Sequence, residues 1–300
     1  MKRTACCKIN LTLEILGTKR SDGFHDLKSV MHKIPLGDVI ELSATDGKGE
    51  ISFYCDSDVC DPKDNLAYRA AQMYLEKYFS NTKKNADVTI SLSKVTPTGA
   101  GLGGGSADAA CVLDMLYEEL GGVSATEVLD MASVLGSDVP FCLKRYMSAY
   151  CTGRGEICRN ISTLPNGTCL VIAKPNEGIN TKGIYGEYDK AHGDDYSKDR
   201  TDSMERALES GSLSDIAKEI VNDFESVCIP RLPEIEVIKN KMSESGAVCS
   251  QMSGSGSAVF GLFDCEDTAL GCFNDLKQHG LTEVYVFGDK DFQKMYTENK

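Results

Sequence analysis

A run of glycines in the first half of the chain carries the strongest chemical signal. Residues 96–110 read Thr-Pro-Thr-Gly-Ala-Gly-Leu-Gly-Gly-Gly-Ser-Ala-Asp-Ala-Ala, and five of these fifteen residues are glycine. Glycine adopts positive φ angles and lets a ligand approach the backbone, so several N–H groups can converge on one anion. A helix starting at Ser106 would add unpaired N–H groups and the positive end of its dipole. The sequence therefore predicts a phosphate-binding loop.

Two well-known nucleotide loops compete for this stretch. A P-loop requires lysine after its last glycine, whereas Gly105 is followed by Ser106. The spacing also satisfies G-x-G-x-x-G, but a dinucleotide fold continues into a strand that ends in an acidic residue. Residues 124–127 (Ser-Ala-Thr-Glu) instead indicate a capping box that opens a second helix through residue 135. The P-loop fails and the dinucleotide fold is disfavoured, while a purely structural glycine turn stays open.

Three further segments hold residues that could do chemistry. They are Lys8 and Asn10 with the downstream Arg-Ser-Asp-Gly-Phe-His at 20–25, the Gly-Ser-Asp-Val-Pro-Phe at 136–141, and the Ser-Gly-Ser-Gly-Ser at 253–257. Each has an ordinary structural explanation when taken alone. Most strand lysines are exposed, and serine, aspartate and glycine are common turn residues.

Composition excludes several classes of protein. The chain has 300 residues, is 41% hydrophobic and 26% charged, and carries a net charge of −13. Such a charge disfavours nucleic acid or an anionic membrane as partner. No apolar run reaches the roughly eighteen residues of a membrane helix, and the N-terminus lacks the apolar core of a signal peptide. The 13 cysteines contain no C-x-x-C, so we expect no zinc site and a reducing, cytoplasmic setting.

The surrounding pattern predicts the elements that position these residues. Apolar and polar residues alternate over 8–15 and 88–93, which indicates strands and puts Lys8 and Asn10 on the face opposite the core. Helical spacing follows the glycine run and ends at Gly121. Further predicted strands lie at 39–42, 51–54, 169–173, 258–263 and 283–287, and further predicted helices at 65–79, 204–226, 233–245 and 266–278. The order predicts an α+β chain with a domain boundary within 150–165.

Taken together, these segments resemble the GHMP kinase superfamily. The matching stretches cover nearly the whole chain, namely residues 8–25, 37–38, 64–66, 97–110, 136–141, 153–157 and 253–263. The resemblance implies a two-domain α+β GHMP kinase fold. An N-terminal ATP-binding domain, similar to ribosomal protein S5 domain 2, would span 1–155, and a ferredoxin-like C-terminal domain would span 156–300. The Lys-Ile-Asn-Leu start with Arg-x-Asp-Gly-Phe-His is similar to the branch that phosphorylates a cytidine-diphosphate alcohol.

The resemblance also implies a reaction. Such kinases transfer the γ-phosphoryl group of ATP to a substrate hydroxyl with Mg²⁺, which needs positioning and charge stabilisation more than covalent help. Asp138 would accept the hydroxyl proton. Lys8 would lower the pKa of that hydroxyl and keep Asp138 ionised. No protein ligand of the metal is assigned, although the Ser106 hydroxyl could meet a phosphate or Mg²⁺.

The resemblance assigns two sets of binding residues. The ATP-binding set is Pro97, Gly99, Ala100, Gly101, Leu102, Gly103, Gly104, Gly105, Ser106 and, in the adenine pocket, Asn65. The substrate-binding set is Asn10, Phe24, His25, Tyr185 and Asp138. Phe24 would stack on the cytosine, His25 would hydrogen-bond to it, and Tyr185 would form the second aromatic wall. The expected partners are therefore two small molecules, with the protein a monomer or homodimer.

Departures from the family pattern affect ligand affinity rather than reaction type. Cys6-Cys7 stand where Pro-Ala is usual, Ala107 replaces a second serine, and Phe24 stands where tyrosine is common. Two other functions stay open. One is a kinase of another small alcohol, such as mevalonate or homoserine. The other is a non-catalytic nucleotide-binding regulator, against which the presence of both Lys8 and Asp138 argues.

Overall fold

Two compact units make up the chain in the computed structural model, which describes residues 1–17, 20, 25–57, 60–177, 183–192 and 200–298. Unit 1 comprises Met1–Cys7, Leu36–Thr98 and Gly103–Arg145, and unit 2 comprises Lys8–Pro35, Gly99–Leu102 and Tyr146–Lys300. The chain thus passes between the units several times, and the division at residue 155 stays a prediction. No helix in the described part of the chain has the length and apolar character needed to cross a membrane.

Strands and helices are interspersed along the chain. The strands are β1 (Lys2–Leu16), β2 (Asp26–Asp46), β3 (Ile51–Cys55), β4 (Ala86–Ser93), β5 (Ser148–Thr152), β6 (Ile157–Asn160), β7 (Cys169–Ala173), β8 (Val221–Asn222), β9 (Cys249–Met252), β10 (Val259–Phe263) and β11 (Val284–Phe287). The helices are α1 (Leu66–Thr82), α2 (Gly104–Leu120), α3 (Ala125–Leu135), α4 (Val139–Leu143), α5 (Ile184–His192), α6 (Arg200–Ser210), α7 (Leu213–Glu219), α8 (Glu225–Arg231), α9 (Glu234–Glu244), α10 (Glu266–Gln278) and α11 (Asp289–Glu298).

Unit 1 packs helices on one face of a sheet. The second half of β2 pairs antiparallel with β4, and β3 pairs parallel with β4. Along β4, buried and exposed residues alternate, as the period-2 pattern predicts. The buried face packs with α1, α2 and α3 into one apolar core that includes Ile90, Tyr74 and Leu113. This core fixes the end of β4 and the start of α2, which flank the glycine run.

Unit 2 contains a four-stranded antiparallel sheet. Its strand order is β11-β7-β10-β9, which in chain order is 4-1-3-2, and α10 connects β10 to β11. This is the order of a ferredoxin-like β-α-β-β-α-β arrangement. The unit also holds β5, which pairs antiparallel with the first half of β2 and with β6. β8 pairs parallel with β1.

Most of the predicted elements are present, although the bounds of several differ. The Ser124–Glu127 capping box is present and opens α3. The helix expected from Ser106 starts earlier, at Gly104, because Gly103 takes a left-handed conformation with φ of 71° and turns the chain there. The helix predicted over 204–226 is divided, with Gly211 at φ of 69° after α6.

The alternation along β1 predicts the burial of one face of the strand but not of the other. Its apolar face is buried as predicted, but the polar face, which includes Lys8 and Asn10, is buried as well. α6 covers part of that face, where the backbone N–H of Thr201 and its hydroxyl donate to the Glu14 carboxylate at 2.9 and 2.6 Å. Lys8 is therefore not an exposed strand lysine.

Candidate active site

The first part of the glycine run, residues 99–102, lies in unit 2 and is held by close backbone contact. Gly101 has φ of 74°, and a Cβ added there would stand 2.1 Å from the carbonyl oxygen of Ser253. The carbonyl of Gly101 accepts hydrogen bonds from Lys8 Nζ at 3.0 Å and from Ser253 Oγ at 3.1 Å. The backbone N–H of Ala258 donates to Ala100 at 3.1 Å. Only glycine fits at residue 101.

The second glycine-serine segment, residues 253–257, is thus a support for the first. Asn222 of β8 holds it through its amide, which donates to the carbonyls of Met252 and Gly254, both at 2.8 Å. The same side chain accepts from the N–H of Phe224 at 3.1 Å. A buried amide with three protein partners is well satisfied and fixes the segment.

Lys8 and Asn10 belong to a buried chain of hydrogen bonds in unit 2. Lys8 Nζ donates to Asn10 Oδ1 at 2.7 Å, and Asn10 Nδ2 donates to Ser29 Oγ at 2.8 Å. Ser29 in turn donates to the carbonyl of Thr12 at 2.6 Å. The alternation of β1 therefore orients the ammonium of Lys8 and the amide of Asn10 together, with the Lys8 side chain directed to the carbonyl of Gly101.

The second part of the run, Gly103 to Ser106, lies in unit 1 and forms the first turn of α2. Gly103 precedes the helix without a side-chain cap, so the first N–H groups of α2 receive no side-chain acceptor from that position. Such a terminus attracts anions through its N–H groups and dipole. Gly136 lies near, since a Cβ there would be 3.9 Å from Ser106 Oγ. The arrangement suits a phosphate group.

Behind this turn lies a buried ionic triad of Asp38, Lys94 and Asp108. Lys94 Nζ bonds to Asp38 Oδ2 and, at 2.9 Å, to Asp108 Oδ2. Asp38 Oδ1 also accepts the backbone N–H groups of Val95 and Thr96 at 2.6 and 2.7 Å. The triad therefore ties β2, the end of β4 and α2 together.

The triad holds two carboxylates and one ammonium group. Burial raises the pKa of Asp108 to about 7, with Lys94 opposing the shift and the Asp38 carboxylate adding to it. Burial alone would also raise the pKa of Asp38, but hydrogen bonds from Lys94, Thr96 and Val95 keep it below its usual value. Asp108 Oδ1 is buried without a hydrogen-bond partner among the described residues. Asp108 is thus the member of the triad whose pKa is raised toward neutral pH.

Asp138 and Asn65 each stand immediately before a helix in unit 1. Asp138 is half-buried and precedes α4, and its side chain makes no cap hydrogen bond to that helix. Asn65 caps α1, since its Oδ1 accepts from the N–H of Ala67 at 2.9 Å. Asn65 also lines an open cavity of about 270 Å³ with Phe53, Tyr54 and other residues of the same unit. A flat aromatic ligand group would fit there.

His25 and Tyr185 are brought together in unit 2. Their rings are nearly parallel, with an interplanar angle of 5° and a centroid distance of 5.7 Å, and Tyr185 meets Phe224 edge-on at 4.8 Å. His25 Nε2 approaches Asp189 Oδ1 to 3.0 Å, close enough for an ion pair but not aligned as a hydrogen bond. Tyr185 and Asp189 lie one turn apart on α5. Phe24 lies outside the described residues.

A resident metal ion would need several donor side chains close together. Within the described ranges, His, Cys, Asp and Glu side chains form no group of three or more that could hold one. Mg²⁺ commonly binds through substrate phosphates, several waters and one or two protein oxygens. Mg²⁺ brought by a nucleotide would need no such group of side chains.

Comparison with known proteins defines the class. The family model described as GHMP kinases N terminal domain matches residues 65–145, and the one described as GHMP kinases C terminal matches residues 204–280. The fold is shared with a mevalonate kinase of Methanococcus jannaschii, at a TM-score of 0.67 and 14% identity over 96% of this chain and 97% of the other. The chain belongs to the GHMP kinase family, and the predicted two-domain α+β fold is confirmed.

Other relatives have a higher sequence identity to this chain over nearly its full length. The chain is 37% identical over 291 residues to a 4-diphosphocytidyl-2-C-methyl-D-erythritol kinase of Clostridium botulinum, which covers 95% of this chain and 99% of the relative. A kinase of the same name from Caldanaerobacter subterraneus subsp. tengcongensis is 38% identical over 276 residues, 91% of each chain. A crystal structure of 4-(cytidine 5'-diphospho)-2C-methyl-D-erythritol kinase matches at 30% identity and a TM-score of 0.78, over 96% of this chain and 98% of that one. The predicted resemblance is confirmed.

Several residues around the site were not found from the sequence. They are Asp38, Lys94 and Asp108 of the triad, Asn222 and Asp189. Asp38 and Asp108 gave a signal, because they lie in segments that carry the resemblance, 37–38 and 97–110. Gly37 is required by packing, since a Cβ there would lie 2.3 Å from the carbonyl oxygen of Ala5.

Proposed function

We propose that this protein transfers the γ-phosphoryl group of ATP to the 2-hydroxyl of 4-diphosphocytidyl-2-C-methyl-D-erythritol. The step belongs to the non-mevalonate route to isoprenoid precursors. The observation that carries the proposal is full-length similarity to kinases of that name, combined with a helix N-terminus built on a glycine run. The enzyme would work in the cytoplasm with Mg²⁺ carried by the nucleotide.

The glycine run supports the ATP half of the proposal. Gly103 to Ser106 present backbone N–H groups at the start of α2, and the contact of Gly101 with Ser253 keeps the preceding turn rigid. Pro97 follows Thr96, whose N–H is anchored on Asp38 at 2.7 Å. Asn65 and the cavity beside it would take the adenine ring. Phosphates then bind without the lysine of a P-loop, because fixed dipoles and N–H groups replace it.

Asp138 and Lys8 would carry the chemistry. We assign Asp138 as the acceptor of the hydroxyl proton, as the family resemblance implies, and the residue is half-buried immediately before α4. Lys8 would stabilise the developing negative charge from a position fixed by Asn10 and the Gly101 carbonyl. Asn10 would orient the alcohol. Preorganised charge of this kind, rather than covalent catalysis, is what phosphoryl transfer requires.

Phe24 would stack on the cytosine and His25 would hydrogen-bond to it, with Tyr185 as the second aromatic wall. Tyr185 is held edge-on by Phe224, and His25 is held by α5 through the stack and Asp189. An aromatic wall fixed in this way suits a base, whose flat face stacks while its edge takes hydrogen bonds. Mevalonate and homoserine offer no such ring.

The deciding experiment measures ATP consumption by the purified protein with the cytidyl substrate and with mevalonate. We expect turnover with the cytidyl substrate alone. Turnover with mevalonate would favour a kinase of another small alcohol. Binding of ATP without turnover on either alcohol would favour a nucleotide-binding regulator.

A further inference from the structure

A pair of cysteines faces each other across the hairpin of β5 and β6 in unit 2. The register pairs Cys151 with Cys158, between the neighbouring pairs Tyr150–Arg159 and Thr152–Ile157. Both cysteines are reduced, and their Sγ atoms lie 3.2 Å apart. None of the roles assigned to the kinase site uses either thiol.

The backbone of this hairpin already suits a disulfide. Directly opposed residues of an antiparallel pair have Cα atoms about 4.5–5.5 Å apart, within the range of about 4.4–6.8 Å found in disulfides. The turn that joins the strands is closed by a hydrogen bond from the N–H of Gly155 to the carbonyl of Thr152 at 3.1 Å. The two sulfur atoms can therefore bond through side-chain rotation, without a change of register.

We propose that Cys151 and Cys158 form a modification site, at which a peroxide converts the thiol pair into a cross-strand disulfide. Cys158 is partly exposed and Cys151 is fully buried, so Cys158 meets the oxidant first. Its thiolate attacks one peroxide oxygen, the O–O bond breaks, and a sulfenic acid and hydroxide form. Cys151 then attacks the Cys158 sulfur. An S–S bond forms, the S–O bond breaks, and the leaving hydroxyl takes the Cys151 proton as water.

The two electrons removed from the thiol pair thus reduce one peroxide to two waters. The cross-link would tie β6, which pairs with β5 alone among the described strands, to the rest of the sheet. The adjacent contact of the Arg159 guanidinium over the Tyr150 ring, 4.4 Å from its centroid, lies on the other face of the hairpin and is not displaced. Closing a short loop restricts the unfolded chain, so the oxidised protein should be more stable.

Peptide mapping tests the cross-link directly. The reduced protein is treated with one equivalent of hydrogen peroxide, blocked with iodoacetamide and digested with trypsin without reductant. Cleavage after Arg154 separates the peptide 146–154, with Cys151, from the peptide 155–159, with Cys158. We expect the two peptides to be joined, about 2 Da lighter than their summed thiol forms, and released by dithiothreitol. A sulfinic acid at Cys158, or its linkage to another cysteine, would overturn the proposal.

Two controls test whether the folded structure, rather than the short separation of the two cysteines in the sequence, brings the thiols together. The cross-link should form at least tenfold faster in the folded protein than in urea, and equal rates would contradict a site made by the fold. Cys158→Ser should abolish both the cross-link and a rise in Tm of about 2–5 °C on oxidation. Cys265→Ser, which removes an exposed thiol elsewhere, should keep both. A Tm rise that survives Cys158→Ser would also count against the pair.

Discussion

The two parts of the glycine run are held by different physical means. In unit 2, residues 99–102 are fixed by close backbone contact at Gly101 and by hydrogen bonds to its carbonyl. In unit 1, residues 103–106 begin a helix whose base is anchored by the buried triad of Asp38, Lys94 and Asp108. Shape therefore controls the first part and charge the second. The first part should therefore be sensitive to added side-chain volume, and the stability of the second part should depend on pH.

The largest effect is expected at Asp138, on the unit 1 side of this comparison. Asp138→Asn keeps the size of the side chain but cannot accept a proton, so turnover should fall by about 10²- to 10⁴-fold while ATP still binds. Steady-state kinetics and nucleotide titration measure both quantities. Asp130→Asn, on the exposed face of α3, is the matched control. Near-normal turnover of Asp138→Asn would remove it as the base.

Next in size is the steric test of unit 2. Gly101→Ala places a methyl group 2.1 Å from the Ser253 carbonyl at a φ of 74°, so unfolding free energy should fall by about 2–4 kcal/mol. Gly99→Ala has φ of 63° but open space around the added methyl, and should cost only about 1–2 kcal/mol. Urea denaturation of both variants gives the difference. Equal losses would mean that backbone conformation, not the contact with Ser253, fixes the loop.

A smaller effect is expected where aromatic shape serves the substrate. Tyr185→Leu removes the stacking surface and should raise KM for the cytidyl substrate, with KM for ATP unchanged. The rise should correspond to a loss of about 1–3 kcal/mol in the binding free energy of that substrate. Phe24→Ala should act in the same direction. Tyr185→Phe keeps the ring and should stay near the parent protein. A Leu variant with unchanged KM would argue against Tyr185 as a wall of the cytosine site.

The smallest effect tests charge in unit 1. Because the pKa of Asp108 is raised in the folded state to about 7, the folded protein binds a proton more tightly than the unfolded chain does. Stability should therefore fall as pH rises from about 4 to about 7. Asp108→Asn removes this dependence while keeping an acceptor for Lys94. Denaturation curves across this pH range measure the unfolding free energy of both proteins. If the unfolding free energy of the variant has the same slope against pH, another group titrates.

Sequence reasoning succeeded where structure depends on local pattern. The capping box of α3 and the bounds of α10 follow from residues within a few positions of each other. It failed where distant segments decide the outcome. The burial of Lys8 depends on residues around Gly101, and the triad joins residues up to 70 positions apart (38 to 108). No periodicity marks such pairs, because each partner alone looks like an ordinary surface charge.

The division of the 204–226 segment has a similar origin. Helical spacing alone does not show that residues 221–222 pair with β1, since that pairing lies with Thr12 and Leu13 at the other end of the chain. Because of this pairing, the amide of Asn222 donates the hydrogen bonds that hold the 253–257 segment. The resemblance identified the family and most proposed site residues, whereas the residues that hold them in place emerged only from the fold.

The helix cap at Asn65 has a consequence for the choice of nucleotide. Its amide oxygen already accepts the N–H of Ala67 at 2.9 Å, which leaves its two N–H donors as the groups most readily offered to a base. If Asn65 lines the adenine pocket as proposed, it would favour a ring nitrogen that accepts a hydrogen bond, as N1 of adenine does. Guanine carries a proton at N1, so its N1–H donor would face the N–H donor of Asn65. A residue that starts a helix would thereby also discriminate ATP from GTP.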